Sequence, residues 1–309
     1  MIALDAGQSS VTARRLDWVG GVVELPPVRT DRSLLPQLAE AATAAMGVLG
    51  PAEGIAIGAT GLSEADADVA GLLGYLGSFG VESVVLAHDS ITSYLGAIGE
   101  VSGVVTAVGT GVVTLGVGAS AVARVDGWGN IIGDAGSAYW IGRAALESVM
   151  RAFDGRGPDT ALRPVIEADF PRLEGAYLEL QSDADRVRRI AAYAKHVDGL
   201  SSEDAVARRI CREAAAELVL SVATALRRVD EADSVAPRIC AIGGVLSSSV
   251  ISSDFDRGIR ESWPRADLAP AIGSGLDGAA LLHDLPDEHV LTSETWRATR
   301  TGQRVTRAR

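Results

Sequence analysis

The amino-acid sequence predicts an α/β fold with two similar domains that face each other across a cleft. A chain of 309 residues is long enough for two domains of ordinary size. Three short apolar segments separated by glycine-rich turns occur at the start, and the same pattern begins again at residue 103. Each set is followed by alternating helical and extended patterns, which is typical of α/β domains. We therefore expect an internally duplicated architecture.

The first domain is predicted to span residues 1–101. Short apolar runs bounded by turn residues predict strands at 2–5, 11–17, 22–25, 55–57 and 84–87. Apolar residues at helical spacing predict helices at 34–46, 65–79 and 91–98. The predicted order is β-β-β-α-β-α-β-α.

The second domain is predicted to span residues 102–285, with a last helix that could return to the first domain. Its strands are predicted at 103–108, 112–117, 121–125 and 238–242. Helices are predicted at 138–153, through 185–230 with an interruption near Gly199, and at 277–282. Residues 273–278 match the pattern G-x-G-x-x-G, but they lie too near the C-terminus for a dinucleotide-binding unit. We expect them to form the entry turn of the last helix.

Residues 286–309 are predicted to form a basic tail, because five arginines and no acid follow Glu294. A solvated terminus and an anion-binding arm both remain open for this segment.

Composition excludes several classes of partner and location. The net charge of −12 disfavours binding to nucleic acid or to acidic membranes. No apolar run is long enough for a transmembrane helix, and no basic segment precedes the first apolar run as in a secretory signal. Cys211 and Cys240 show no metal-binding or redox spacing, which fits a reducing compartment. We expect a cytoplasmic protein with no nucleic-acid or membrane partner.

Lysine usage excludes two common ways of binding a nucleotide. Lys195 is the only lysine of the chain. A P-loop requires a lysine after its glycine-rich turn, and protein kinases require one on an early strand. Any nucleotide phosphate must therefore be bound by backbone amides, hydroxyl groups and a metal ion.

The first glycine-rich turn combines an acid with groups that suit a phosphate. Asp5 ends a buried strand, where its carboxylate could hold Mg²⁺. Gly7 lets the backbone approach an oxyanion, and Ser9 and Ser10 supply hydroxyl groups. A plain hairpin turn would use the same residue types.

The equivalent turn of the second domain is Gly109-Thr110-Gly111. Two glycines around a hydroxyl group suit a second phosphate contact, although a hairpin turn explains the motif equally well. The occurrence of both turns at matching positions favours a functional pair.

A candidate general base follows the predicted strand at 84–87. Asp89 lies just after His88 at the start of a helix, where a carboxylate could accept the proton of an attacking hydroxyl group. A helix N-cap is the structural alternative. Ligands of α/β proteins bind at the carboxyl ends of strands, which favours the functional interpretation.

Two further segments are rich in glycine. Residues 126–142 include Trp128, which offers a flat apolar face, and Asp134, which could bind paired hydroxyls. Gly243 and Gly244 end a predicted strand and would let a purine lie against bare backbone. A structural loop and a strand-to-helix turn remain the respective alternatives.

In this order, the motifs resemble those of the acetate kinase/sugar kinase/Hsp70/actin superfamily. The residues that carry the resemblance are 5–10, 89, 109–111, 127–142 and 243–244. The run 127–142 is similar to N-acetylglucosamine kinases within the BadF/BadG/BcrA/BcrD ATPase family. The resemblance covers about residues 1–285 and implies two ribonuclease H-like (actin-like ATPase) domains, ATP and Mg²⁺ as cofactors, an amino sugar as substrate and a homodimer.

The resemblance implies a role for each matching residue in an ATP-dependent sugar kinase. Asp5 would organise Mg²⁺, and Asp89 would be the base at the sugar 6-hydroxyl. The residues that would hold ATP are Gly7, Gln8, Ser9, Ser10, Gly109, Thr110, Gly111, Gly243, Gly244 and Val245. The residues that would contact the sugar are Asp31, Asp89, Gly127, Trp128, Gly129 and Asp134.

The chain departs from its relatives around the sugar. Val112 and Val113 replace a Ser-Asn pair, and Ala135 replaces a glutamate after Asp134. Asp31 is the nearest candidate for an expected asparagine. Because an acid in that place suits a cationic group, glucosamine is expected as a substrate as much as N-acetylglucosamine.

Two other functions remain as alternatives. A noncatalytic sugar- and ATP-binding sensor would tolerate the altered sugar motifs. An ATPase that activates dehydratases would need cysteines for an iron–sulfur cluster at a subunit interface, and the positions of Cys211 and Cys240 do not favour this.

Overall fold

The computed structural model describes residues 1–17, 20–300 and 302–306, the last five by their backbone alone. The chain folds as two compact units. Unit 1 consists of Met1–Val105, Val117–Val122 and the residues from Pro270 onward, and unit 2 consists of Thr106–Gly116 and Ala123–Ala269. The predicted boundary after residue 101 therefore falls a few residues before the observed change of unit, and the last helix belongs to unit 1.

The strands and helices follow in chain order. The strands are β1 (Ile2–Ala6), β2 (Val11–Arg15), β3 (Val23–Leu25), β4 (Gly54–Ala59), β5 (Ser83–His88), β6 (Gly103–Val108), β7 (Val112–Val117), β8 (Val122–Asp126), β9 (Arg238–Ile242), β10 (Asp267–Leu268), β11 (Thr295–Thr299) and β12 (Gly302–Thr306). The helices are α1 (Leu34–Leu49), α2 (Val69–Leu76), α3 (Asp89–Ile98), α4 (Ala138–Phe153), α5 (Arg163–Asp169), α6 (Ala176–Ser182), α7 (Arg186–Ala192), α8 (Ala194–Leu200), α9 (Ala205–Arg228), α10 (Ser249–Ser262) and α11 (Gly275–Leu281).

The two sheets share one strand order. The sheet of unit 1 runs β12-β11-β5-β4-β1-β2-β3, and the other sheet runs β10-β9-β6-β7-β8. When each set is numbered from its own first strand, both contain the order 5-4-1-2-3. The internal duplication predicted from the sequence is confirmed at the level of strand order.

In unit 1, β1, β4 and β5 are parallel, and β2 and β3 are antiparallel to their neighbours. The carboxyl ends of the three parallel strands therefore meet at one edge of the sheet. The side chains of β1 alternate between the two faces. Ile2, Leu4 and Ala6 belong to the large core formed with α1 and α2. Ala3 packs instead with Leu276 and other residues of α11, so Asp5 is on that face too.

Glycines allow unusually close packing on the α11 face. A Cβ atom at Gly278 would lie 1.8 Å from the carbonyl oxygen of Thr92 in α3, and one at Gly96 would lie 1.8 Å from that of Ser274. A Cβ atom at Gly58 would lie 2.2 Å from the hydroxyl oxygen of Thr92. Helices α3 and α11 therefore meet backbone to backbone, and the Thr92 side chain packs directly on the backbone of β4, which no larger residue at these positions would allow.

Residues 273–278 form a helix entry, as predicted. Ser274 is the N-cap of α11, and its side chain accepts the amide hydrogen of Asp277. The Asp277 carboxylate accepts the Ser274 amide at 2.7 Å in return and also binds Arg14 of β2 at 2.8 Å. This capping box fixes the start of α11 against the sheet.

The structure differs from the prediction of a basic tail that is separate from both domains. Strand β11 pairs antiparallel with β5, and Thr295 at its start is fully buried. Arg297 donates to the carbonyl oxygens of Leu282 and Leu285, both at 3.1 Å. One of the arginines that suggested a solvated tail thus holds the strand to the segment after α11. Residues 307–309 lie outside the described part of the chain.

Two helical predictions were also incomplete. The predicted helix at 65–79 is divided into a 3₁₀ turn at Glu64–Asp66, α2, and a second turn at Gly77–Phe79, because Asp68 caps α2 through the amide of Gly71. Helices α5 and α6, each of seven residues, were not predicted. Among the residues that the structure describes, no helix is both long and apolar enough to cross a bilayer.

We expect Gly278→Ala to lower the free energy of unfolding by at least about 2 kcal/mol, because the added methyl group would force α3 and α11 apart. Gly47→Ala is the matched control, since Gly47 lies in α1 with open space around it and should gain about 0.5–1 kcal/mol. Urea unfolding of both variants measures the difference. Equal stability of Gly278→Ala and wild type would contradict the close helix contact.

Candidate functional site

Two acidic side chains lie at the carboxyl ends of the parallel strands of unit 1. Asp5 of β1 is paired in register with Gly58 of β4, which is paired with Ala87 of β5. Asp89 follows β5 directly as the first residue of α3. The sheet therefore brings together two carboxylates that are 84 positions apart in the chain.

Asp5 is half-buried in an environment that disfavours its charge. Its carboxylate lies against the start of α11, where a Cβ atom at Gly275 would be 2.6 Å from Oδ2. Burial, together with the negative charge of Asp89, raises the pKa of Asp5 to about 6. Near neutral pH this carboxylate is ionised, which is the state in which a carboxylate binds a metal ion, and no arginine or lysine of the described ranges forms an ion pair with it.

Asp89 has one buried and one accessible side. Its Oδ1 atom is buried, while 30% of the side chain is exposed. Nδ1 of His88 lies 2.9 Å from Oδ1, but it is aligned with the amide of Ser90, from which it accepts a hydrogen bond of 3.1 Å. Asp89 therefore follows the N-cap of α3 rather than serving as the cap itself.

The charge of Asp89 is stabilised by its neighbours. Burial by itself would raise the pKa of the Asp89 carboxyl group. His88, when its Nδ1 atom carries a proton, the hydroxyl group of Thr60 and the amide of Ser90 together outweigh burial and hold that pKa below its usual range. Asp89 is thus ionised at neutral pH and able to accept a proton on its accessible side.

The turn after β1 is a tight hairpin with an exposed tip. Gly7 donates its amide hydrogen to the carbonyl oxygen of Ser10 at 3.0 Å and accepts one from Val28 at 3.1 Å. Gln8 and Ser9 at the tip are exposed. The hairpin and phosphate-binding interpretations are both compatible with this geometry.

A cavity of about 300 Å³ lies in unit 1, next to Thr60. Its lining residues are Thr30, Asp31, Arg32, Ser33, Leu34, Thr60, Gly61 and Asp66. Thr60 follows β4, donates its amide hydrogen to the carbonyl oxygen of Ala6 at 3.0 Å and contacts Asp89 through its hydroxyl group. Thr60 therefore connects the cavity to the predicted base, and the volume of the cavity is at the lower end for small-molecule sites.

Asp31 lines this cavity, but it is already paired. Arg29 donates two hydrogen bonds to its carboxylate, at 3.0 and 2.8 Å. This pairing, with a further contribution from Arg32, holds the pKa of Asp31 below its usual range. The carboxylate is exposed, and its charge is largely compensated by arginine.

In unit 2, the turn Gly109-Thr110-Gly111 connects β6 and β7 and contacts the start of α4. The carbonyl oxygens of Gly109 and Thr110 accept the amide hydrogens of Ala138 and Tyr139, at 2.9 and 3.1 Å. Ser137 caps the same helix by accepting the amide hydrogen of Trp140. The second predicted phosphate turn is thus fixed by the first turn of a helix.

The glycine-rich loop after β8 is held by an acid that was not among the predicted site residues. Asp126 accepts the amide hydrogens of Asp134 and Ala135, at 2.8 and 2.9 Å. Asp134 is buried, and burial raises its pKa, as does the charge of Asp126. A Cβ atom at Gly111 would lie 2.7 Å from Asp134 Oδ2, so the carboxylate predicted to bind sugar lies against the second phosphate turn.

The tip of this loop presents an aromatic face. Trp128 is 58% exposed, and the guanidinium group of Arg124 lies 4.7 Å from the centroid of its ring. Gly127 and Gly129 flank it with φ angles of +76° and +81°, which favour glycine at both positions.

The two glycines after β9 have different surroundings: Gly243 packs against the backbone of Val108, and Gly244 is open to solvent. Gly243 has a φ of +107°, and a Cβ atom there would lie 2.3 Å from the carbonyl oxygen of Val108. Gly244 has open space around it and is exposed, whereas Val245 is buried. An exposed stretch of bare backbone is thus present where the sequence predicted a purine contact.

Sequence reasoning missed Thr60, Asp66 and Asp126. Thr60 follows a strand at the same edge as Asp5 and Asp89, so parallel pairing of that strand is the signal that could have identified it. Asp66 and Asp126 gave no such signal, because their importance depends on contacts that only the folded chain makes. No cluster of three or more metal-binding side chains occurs in the described ranges.

Known proteins are similar to this chain in sequence and in fold. The chain is 28% identical over 223 residues to an N-acetylmuramic acid/N-acetylglucosamine kinase of Clostridium acetobutylicum, covering 68% of each chain. It is 27% identical over 197 residues to an N-acetyl-D-glucosamine kinase of Dictyostelium discoideum, covering 60% of each chain. The crystal structure of a proposed N-acetylglucosamine kinase from Chromobacterium violaceum has a TM-score of 0.68 at 23% identity, covering 91% of this chain and 97% of that one.

These similarities agree with the strand order of both units. The structural likeness shows a shared fold, and the prediction of ribonuclease H-like (actin-like ATPase) domains is confirmed. The BadF/BadG/BcrA/BcrD ATPase family matches residues 3–282. Because this match covers most of the chain, the protein belongs to the BadF/BadG/BcrA/BcrD ATPase family.

Proposed function

We propose that the protein is an ATP-dependent sugar kinase with Asp89 as its general base. The observation that carries this proposal is the environment of Asp89, whose pKa is held below its usual range while 30% of its side chain remains exposed, next to Thr60 of a polar cavity. The kinase names of two relatives support the reaction class.

The acceptor in this proposal is the 6-hydroxyl group of an amino sugar, either N-acetylglucosamine or glucosamine. The names of the relatives favour the N-acetylated sugar. The pairing of Asp31 with Arg29 weakens the reason to expect a cationic sugar, because that carboxylate is already compensated. The sugar would also contact residues 127–129 and Asp134 of unit 2.

Asp89 would act on the hydroxyl group that attacks the terminal phosphoryl group of ATP. Its accessible oxygen would accept the hydroxyl proton as the new oxygen–phosphorus bond forms and the bond to the leaving ADP oxygen breaks. Thr60 would hold the carboxylate in place. Much of the rate acceleration in such reactions comes from positioning the two reactants.

Asp5 fits the requirements for holding Mg²⁺. It is a half-buried carboxylate next to a second negative charge, and this arrangement alone raises its pKa to about 6. Magnesium is commonly held by one or two carboxylates, with water and substrate phosphate oxygens as the other ligands. When bound, the ion would supply positive charge that neutralises the phosphate groups of the nucleotide.

The residues proposed to bind ATP are backbone amides and hydroxyl groups of both units. In unit 1 they are Gly7, Gln8, Ser9 and Ser10. In unit 2 they are Gly109, Thr110 and Gly111 for the phosphates, and Gly243, Gly244 and Val245 for adenosine. This assignment fits a chain with a single lysine.

The iron–sulfur alternative has less support. Cys211 and Cys240 are both fully buried, and burial is the main reason why the pKa of the Cys211 thiol is raised to about 11. Neither thiol is placed to bind a cluster at the protein surface.

Purified protein with Mg²⁺-ATP should release ADP only when a sugar acceptor is present. The panel should contain N-acetylglucosamine, glucosamine, N-acetylmuramic acid, N-acetylmannosamine and glucose. Asp89→Asn should lower kcat by about 10²–10⁴-fold through loss of the base. Asp287→Asn, at a 94% exposed side chain, is the matched control. Absence of sugar-dependent turnover in a folded, ATP-binding protein would favour the noncatalytic sensor.

Asp5→Asn should stabilise the protein without Mg²⁺ by about 1–3 kcal/mol at pH 7.5. In the folded protein the carboxyl group loses its proton near pH 6, compared with 3.8 for an unperturbed one. Stability is therefore lost as the pH rises through 6, and the variant avoids this loss. Urea unfolding of wild type and variant at pH 7.5 and at pH 4 measures the free energy of unfolding of each protein at each pH. A variant that is less stable than wild type at pH 7.5 would contradict the unfavourable charge.

Thr60→Val should lower kcat about tenfold and move the acid limb of its pH profile to higher pH. The hydroxyl group of Thr60 lowers the pKa of Asp89, so its loss raises the pH below which the base is protonated. Thr60→Ser keeps the hydroxyl group and should restore both parameters. A Thr60→Val profile that overlays that of wild type would exclude this positioning role.

A further inference from the structure

The cavity beside Thr60 contains two carboxylates with different surroundings. Asp31 and Asp66 both line it. Residues 30–34 approach it from the segment that leads into α1, and Asp66 ends the 3₁₀ turn at Glu64–Asp66. Thr60 and Gly61 lie in the same lining and connect it to the end of β4. A ligand here would meet both acids and also Thr60, the residue that contacts the predicted base Asp89.

Asp31 has little capacity left for a ligand. Arg29 donates one hydrogen bond to each of its oxygens, at 3.0 and 2.8 Å, and Arg32 adds a second positive charge nearby. A carboxylate in a two-point contact with arginine has its strongest acceptor directions occupied. A hydroxyl group of a ligand would have to compete with a guanidinium group for them.

Asp66 differs in both charge and hydrogen bonding. The hydroxyl group of Ser63 donates to its Oδ2 atom at 2.5 Å. Within residues 1–17, 20–300 and 302–306, no arginine or lysine forms an ion pair with Asp66, and Oδ1 has no hydrogen-bond donor. Its carboxylate is therefore in no ion pair with those residues, and one oxygen is available as an acceptor.

The shape of the cavity depends on the residues between these acids. Gly61 has a φ of +68°, and a Cβ atom there would lie 2.5 Å from Thr30 Cγ2. The backbone after Thr60 thus closes directly onto the loop that carries Asp31. This contact keeps the cavity small, so a monosaccharide entering it would reach the available oxygen of Asp66.

We propose that Asp66, and not Asp31, is the carboxylate that binds hydroxyl groups of the sugar and determines acceptor specificity. This proposal rests on the sugar kinase function proposed above. An ionised carboxylate accepts hydrogen bonds and donates none, so the sugar must present a donor to it. Adjacent hydroxyl groups meet this requirement, whereas the carbonyl oxygen of an acetamido group would be repelled from this position.

The test compares Asp66→Asn with Asp31→Asn in the full-length chain. Asp66→Asn should raise KM for the sugar by about 10- to 100-fold, the effect of losing a charged hydrogen bond. Its kcat should stay within about threefold of wild type, and KM for ATP should not change. The KM increase for Asp31→Asn should be smaller than that for Asp66→Asn. Asp287→Asn controls for the loss of one negative charge in unit 1.

Calorimetric titration with N-acetylglucosamine, glucosamine and glucose separates this inference from the proposed function. If wild type binds a sugar without turnover, the kinase proposal fails, and weaker binding by Asp66→Asn still supports the role of Asp66. An unchanged affinity or KM in Asp66→Asn, or a larger effect of Asp31→Asn, would overturn the inference. Failure of wild type to bind any of the three sugars would also count against it.

Discussion

The close packing of α3 on α11 and on β4, which glycines make possible, is the constraint on which the candidate site of unit 1 depends. Gly96 and Gly278 let the two helices approach until backbone meets backbone, and Gly58 admits Thr92 of α3 against the strand. Asp89 is the first residue of α3, and the start of α11 covers Asp5. The depth to which the helices pack therefore sets the positions and the burial of both carboxylates.

The same packing gives two nearby carboxylates opposite properties. Asp5 has burial and a like charge against it, so its pKa rises, whereas Asp89 is stabilised by His88, Thr60 and Ser90. Two acids whose environments push their pKa values apart can divide the chemistry between them. In the proposed reaction, the acid that lacks a cation holds the metal ion, and the stabilised anion takes the proton.

The two units have the same strand order, but the loops between their strands differ. In unit 1 the turn after β1 is a short hairpin, while in unit 2 the corresponding turn is fixed by the start of α4. Asp126 holds the long loop of unit 2 and places Asp134 against Gly111. Unit 1 also gains β11 and β12, which follow the end of the family match at residue 282. Fold and family are thus shared with relatives, and within this chain the two units differ in their loops and in the strands at the edge of the sheet.

The sequence by itself determined the duplicated α/β architecture, the turns after β1 and β6, and the candidate acids Asp5 and Asp89, because apolar periodicity and turn residues are local signals. Tertiary structure alone decided the pairing of β11 with β5, the compensation of Asp31 by Arg29, the available oxygen of Asp66 and the contact of Thr60 with Asp89. Each of these depends on which side chains the fold brings within a few ångströms of one another. The charge and hydrogen bonding of a carboxylate are set by such neighbours, and residue type and spacing do not encode them.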